Sequence, residues 1–141
     1  MIIREFQPED IKKGLLETYQ EVWKIFEISE ETLNEWFNNN NYMIVAENNE
    51  GVIVGTCTLH LQKKFIRDGG IAGFIEDVAV RENLRGNNIG TLLIQKAIEI
   101  AKSKNCYKVV LSCFPERVSF YERNGFYKES IVMRLNENFL K

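Results

Sequence analysis

Ile11, Leu15, Leu16, Tyr19, Val22, Trp23 and Phe26 recur mostly three and four positions apart, the spacing of one stripe on a helix. Residues 2–7 read as a short first strand, Pro8 breaks it, and Asp10 stands where an N-cap belongs. The pattern therefore predicts an amphipathic helix over residues 11–26, about four turns long. Ser29 is placed to cap a second, shorter helix carrying Leu33, Trp36 and Phe37, and the polar run 38–41 ends it.

Beyond this point the period shortens. Residues 42–46 read as a strand, Asn48-Asn49-Glu50-Gly51 as a turn, and 52–61 as the returning strand of a hairpin. A polar loop over 62–70 contains Lys63, Lys64, Arg67 and the pair Gly69-Gly70. Residues 71–80 form a further strand, apolar except for Glu76 and Asp77. A loop over 81–90 opens a helix whose inner side carries Leu93, Ala97, Ile98 and Ala101, closed at Asn105. The β-branched run 106–113 predicts a buried strand, Phe114-Pro115 breaks it, and 116–124 form a short helix with Gly125 at its C′ position. Residues 126–135 finish with strand character. No repeat or linker interrupts the pattern, so the expectation is one domain over 1–141 of α/β class, a mixed central sheet flanked by helices in the order β-α-α-β-β-β-α-β-α-β.

Composition narrows the function. A chain of 141 residues, 45% hydrophobic, is long enough for a core without disulfide or metal staples. The net charge of -2 and pI near 5.6 predict no general affinity for nucleic acid or anionic membranes. No run reaches the ~18 apolar residues of a span, and the N-terminus lacks the apolar core of a secretion signal, so a cytoplasmic protein is expected. Cys57, Cys106 and Cys113 form no Cys-x-x-Cys pair, and His60 is the single histidine; no metal site is expected. The thiols read as reduced and mostly buried.

The chemistry concentrates after the 71–80 strand. Arg85-Gly86-Asn87-Asn88-Ile89-Gly90 runs directly into a helix. The first-turn N–H groups of a helix lack internal partners and its dipole favours negative charge there. Gly86 and Gly90 admit close backbone approach and Arg85 adds a cation, so the element suits an anion such as a pyrophosphate. It is not a Walker loop, which ends Gly-Lys-Ser/Thr, nor a dinucleotide fingerprint, whose middle glycine is absent. A glycine-rich turn with no ligand is the alternative for this stretch taken alone.

With its neighbours, the stretch resembles the GNAT acetyltransferase superfamily, whose Arg/Gln-x-x-Gly-x-Gly/Ala loop binds the CoA pyrophosphate. Phe120-Tyr121-Glu122-Arg123-Asn124-Gly125-Phe126 is similar to its late Phe-Tyr-x-x-x-Gly-Phe block. Gly73–Val80 and Asn105–Leu111 with Cys113 resemble, more closely, the glucosamine-6-phosphate N-acetyltransferases of eukaryotic type, in register over about residues 73–127. The resemblance implies a GNAT fold and acetyl transfer from acetyl-CoA to an amino sugar phosphate, a precursor of UDP-N-acetylglucosamine, in a ternary complex. It implies that Val78, Ala79 and Val80 bind the pantetheine arm through backbone groups, that Arg85, Gly86, Asn87, Asn88, Ile89 and Gly90 hold the pyrophosphate, and that Tyr121 touches the CoA sulfur and protonates the leaving thiolate. A phenol of pKa about 10 can donate to such a sulfur. Glu76 and Asp77 are implied in sugar contact and Glu76 in catalysis. Tyr107 and Lys108 are implied in the phosphate site across a homodimer interface, where the last strand, 130–135, pairs with its partner. Lys64, Arg67 and Arg134 are further candidate contacts.

As neighbours on a strand, Glu76 and Asp77 are expected to point to opposite faces and form no dyad. Ser112 stands where this family often has a carboxylate, Arg117 where it has asparagine, and Asn136 where it has arginine. Proton removal then falls to Glu76, a water or solvent. Unphosphorylated glucosamine, another small amine, and a CoA-binding domain without turnover are the alternatives. Cys113 reads as structural rather than as an acyl carrier, which would need a partner base, and His60 as structural or surface.

Overall fold

The computed structural model describes residues 1–25 and 27–141. Two compact units, Met1–Leu111 and Ser112–Lys141, divide the chain.

The first unit is a five-stranded sheet in the order β1-β2-β3-β4-β5, with β1 Ile2–Glu5, β2 Asn41–Glu47, β3 Ile53–Lys63, β4 Ile71–Val80 and β5 Lys108–Leu111. The first four strands pair antiparallel, whereas β5 joins β4 in parallel, from Ala72↔Lys108 to Ile75↔Leu111. A parallel pair needs a crossover, and the Ile89–Ser103 helix supplies it. The hairpin turn is the expected one: Asn48 Oδ1 accepts from the N–H groups of Glu50 and Val52 at 2.9 and 3.0 Å. This is an Asx turn.

The core has two sides. Phe6, Leu15, Val45 and Ile53 pack together with Ile11, Tyr19, Leu33, Phe37 and Met43 from the N-terminal helices and strands. Elsewhere Ile89, Leu93, Ile94, Ala97 and Ala101 form the buried stripe of the long helix. That helix lies close on β3, because Gly55 has no side chain: a Cβ there would stand 3.0 Å from Ile89 and 3.1 Å from Leu93. Burial pushes the Cys57 thiol, against this helix, up to about 12.

The expected helix over 11–26 is interrupted. Pro8–Lys13 is a 3₁₀ turn and the α-helix covers only Leu15–Gln20. Gly14 between them sits at φ +93, a left-handed conformation that ends one helix before the next begins. Phe26 lies outside the described residues. Asp10 is not the cap itself: it is the third residue of the turn, and its carboxylate accepts from the Gln7 N–H at 2.8 Å. The second helix is as expected, Glu30–Phe37, with Ser29 Oγ accepting from the Thr32 N–H.

Strand β5 is shorter than expected and half-buried, because it is an edge strand. Cys57 is buried, but Cys106 is only partly so and Cys113 is exposed. His60 Nδ1 lies 2.6 Å from Asn41 Oδ1, a cross-strand contact.

The second unit contains a 3₁₀ turn, Pro115–Arg117, the α-helix Val118–Arg123 and a final 3₁₀ turn, Glu137–Leu140. Gly125 takes φ +92 after the helix, as its position predicts. Residues 126–135, expected as a strand, form none among the described residues. Ile131, Val132, Met133 and Leu135 are exposed. Strand-prone residues give the segment its signal, but a strand exists only where a second strand takes its hydrogen bonds.

Candidate functional site

Strand β4 carries the centre of the candidate site. Its parallel pairing with β5 stops at Ile75↔Leu111, so among the described residues no strand pairs with it on that side from Glu76 onward. Val78, Ala79 and Val80 therefore lie on an opened strand edge, which is what binding an amide-containing arm through backbone groups requires.

A bulge falls at the same place. Thr58 pairs with Glu76 and Thr56 with Ala79. Cys57 thus faces two residues, Asp77 and Val78. Asp77 takes φ +52, and Glu76 and Asp77 are both exposed. The strict two-residue period of the strand slips here, at Asp77 and Val78. The extra residue is invisible without the register of β3.

Helix Leu15–Gln20 covers this region. The Tyr19 hydroxyl lies 3.4 Å from Thr56 Oγ1. Burial pushes the Tyr19 phenol up, and the charge of Asp77 adds to the rise. Partial burial also pushes the Asp77 carboxyl up. Tyr19 has no signal in the sequence beyond its place in a helical stripe, because its partners lie far along the chain.

The loop after β4 has the conformation an anion site needs. Gly86 is at φ +88 with open space where a side chain would stand. Asn88 is at φ 66, the left-handed region that asparagine tolerates better than most residues, which explains why it can occupy a position where glycine is common. Arg85, Gly86, Asn87 and Asn88 are exposed. Leu92 N–H is the first to bond back, to Asn88 O, so the N–H groups of Ile89, Gly90 and Thr91 are not used by the helix. Arg85 Nε donates to Val80 O at 3.3 Å and Asn87 Nδ2 to Leu84 O at 3.0 Å. Open glycine, free N–H groups and an exposed arginine fit a pyrophosphate.

Three expected substrate residues come together at the other end of β4. Tyr107 N–H donates to Ile71 O, and its ring has the Arg67 guanidinium 5.5 Å from the centroid and the Lys108 ammonium 5.8 Å from it. Gly70 leaves room for that ring. The Tyr107 hydroxyl is buried without a hydrogen-bond partner among the described residues. Arg67 and Asp68 are both left-handed, at φ 57 and 53, in the turn that also holds Lys64. In the second unit, Tyr121 lies on the Val118–Arg123 helix, its ring 4.9 Å from Phe120 and 6.0 Å from Phe126. Arg134 lies on the exposed 126–135 segment. Among the described residues no cluster of His, Cys, Asp and Glu could hold a metal, and no helix is long and apolar enough to cross a membrane.

Residues 9–126 match the sequence profile of the Acetyltransferase (GNAT) family. The chain is 32% identical over 136 residues to a glucosamine 6-phosphate N-acetyltransferase of Candida albicans, covering 92% of this chain and 91% of the relative. It is 40% identical over 99 residues to the protein of the same name from Schizosaccharomyces pombe, covering 70% and 89%. The crystal structure of glucosamine-6-phosphate N-acetyltransferase from Arabidopsis thaliana superposes with a TM-score of 0.87 at 31% identity, over 96% of this chain and 97% of that one.

Proposed function

Because the chain belongs to the GNAT acetyltransferase family, we propose that it transfers acetyl from acetyl-CoA to the amine of glucosamine 6-phosphate, a step toward UDP-N-acetylglucosamine. The observation that supports the substrate is the match over about nine-tenths of both chains to the Candida albicans relative bearing that name. The protein works as a single domain over 1–141, in the cytoplasm, as a homodimer with a shared active site.

Acetyl-CoA supplies an activated acyl group as a thioester. The chain's own residues do the rest. Arg85 and the backbone N–H groups from Gly86 to Gly90 hold the pyrophosphate. The open edge at Val78, Ala79 and Val80 holds the pantetheine amides, and a backbone N–H there polarises the thioester carbonyl. Glu76 and Asp77 hold the sugar, so that its neutral amine meets the carbonyl carbon in a fixed geometry. The C–N bond forms as the C–S bond breaks. Glu76, directly or through a water, takes the proton lost by nitrogen, since Ser112 cannot. Tyr121 gives a proton to the departing sulfur.

The positions of the cations support a shared site. Lys108 pairs with Ala72, four residues and about 13 Å along β4 from Glu76. The carboxylates of one subunit are then served by Arg67, Tyr107 and Lys108 of another, with Lys64 and Arg134 as further contacts.

Initial rates with acetyl-CoA on glucosamine 6-phosphate, glucosamine, a polyamine and a peptide amine test the reading. The highest kcat/KM is expected for the phosphorylated sugar. A preference for unphosphorylated glucosamine removes the phosphate site, and a preference for peptide or polyamine removes the sugar. CoA binding with no turnover on any amine leaves a binding domain.

A further inference from the structure

Arg81 lies between β4 and the pyrophosphate loop, outside every motif quoted above. Its Nε donates to Thr18 Oγ1 at 3.0 Å and its Nη2 to Gly14 O at 2.9 Å. Its own N–H donates to Val54 O, and its carbonyl accepts from Leu84 N–H, closing the first turn of the loop. Both side-chain acceptors belong to the first helix. Thr18 is buried, and its hydroxyl, which has one proton to give, lies 2.8 Å from Ile53 O and 3.0 Å from Gly14 O. One residue on, the Glu82 N–H donates to the Glu21 carboxylate at 2.7 Å. The root of the loop is thus fastened to the helix at three points more than sixty residues away in sequence.

Two features set this clamp apart from ordinary packing. Gly14 is left-handed, and a Cβ there would stand 2.6 Å from Arg81 Nη2, so a side chain at 14 and the guanidinium could not both keep their places. No carboxylate lies within ion-pair distance of Arg81 among the described residues. Both side-chain acceptors of the guanidinium are neutral oxygens.

We infer that Arg81 is a positioning residue for the acyl donor: its two-point grip on Thr18 and Gly14 sets the conformation of the Glu82–Asn88 segment in which CoA phosphates are bound. This rests on the reading of that loop as the CoA site. A guanidinium can make this fork and an ammonium cannot, so charge alone does not substitute for it. The same clamp joins the loop to the helix carrying Tyr19, beside the carboxylates of β4.

The test is calorimetric titration of the full chain with CoA, alongside KM and kcat for acetyl-CoA. In Arg81→Lys the CoA Kd and the acetyl-CoA KM rise about tenfold, the scale of one charged hydrogen bond, while kcat at saturation changes less than threefold. Thr18→Val, which keeps the shape and removes the acceptor, raises Kd in the same direction, and Thr18→Ser, which keeps the hydroxyl, recovers it. Unchanged Kd in folded Arg81→Lys overturns the inference. If that variant fails to fold, equal Kd in Thr18→Val and Thr18→Ser overturns it. A wild-type chain that binds no CoA overturns the loop assignment instead, and is a separate result.

Discussion

Replacing Asp10 by asparagine probes a buried ion-pair network in the first unit. The Asp10 side chain is fully buried, and its two oxygens accept from Arg4 Nη1 and Nη2, each at 2.8 Å, with the Gln7 N–H as a third donor at 2.8 Å. Arg4 also donates to Glu47 from Nε and Nη2, so the network joins β1, the turn after it and the end of β2. In Asp10→Asn the shape survives, but an amide group replaces one acceptor and meets a guanidinium N–H. Breaking a buried pair by removing one partner costs about 3–5 kcal/mol. Arg4 is 23% exposed and keeps Glu47, which places the expectation at the lower end, about 3 kcal/mol, or a fall in Tm of roughly 6–12 °C for a chain of this size. Urea unfolding at pH 7 measures it. The pH dependence provides a second check. Burial pushes the Asp10 carboxyl up, but hydrogen bonds from Arg4 and Gln7 outweigh it and hold the group below its ordinary value. A depressed folded pKa stabilises fully above the unfolded carboxyl value of about 4 and is lost as pH falls through the folded one. The difference between wild type and Asp10→Asn is therefore flat from pH 8 to 6 and shrinks below about pH 4. A difference under about 1 kcal/mol at pH 7, or one that does not change down to pH 3, refutes the argument.

Tyr121→Phe is expected to lower kcat about a hundredfold, the lower range for a lost general acid, while the CoA Kd stays within threefold; unchanged turnover takes Tyr121 out of the reaction. With a disulfide reagent at pH 8, the exposed Cys113 reacts first and Cys57 only on unfolding, because a thiol pushed to about 12 is roughly one part in ten thousand thiolate at that pH. Rapid titration of Cys57 in the native protein contradicts this. Gly55→Val crowds Ile89 and Leu93, which is expected to destabilise the fold by about 1–3 kcal/mol and to weaken CoA binding by displacing the start of the helix. A stable variant with wild-type CoA Kd shows that the helix can move away freely.

Much of the architecture is local and was therefore legible in the sequence. Residues 71–80 are a strand with the bounds their apolar run predicts, because Gly70 and Arg81 flank it and each residue's preference agrees with the pairing. The Asn48–Gly51 turn and the Ser29 cap follow from single side chains bonding to nearby backbone. The loop over 85–90 was readable for the same reason: its glycines and the helix behind it are contiguous. The interruption at Gly14 was less visible, because Ile11 and Leu15 keep the helical spacing across it. The strand expected over 126–135 shows the limit of propensity: its apolar residues are exposed, and nothing in their order specifies which strand would receive them.

The site itself depends on what local reading cannot supply. A plain two-residue alternation does not run the length of β4, because β3 offers one residue, Cys57, where β4 offers two, Asp77 and Val78. That mismatch lies between chain segments about twenty residues apart, and it places a non-glycine residue at φ +52. Holding aspartate there costs of order 1–3 kcal/mol relative to an ordinary strand conformation, and a glycine would adopt it without strain. The bulge also coincides with the point where β5 leaves β4, so the exposed carboxylates and the open backbone edge arise from the same break in the sheet. Motif resemblance located these residues, but it is the broken register that places two exposed carboxylates and an open backbone edge within a few residues of one strand.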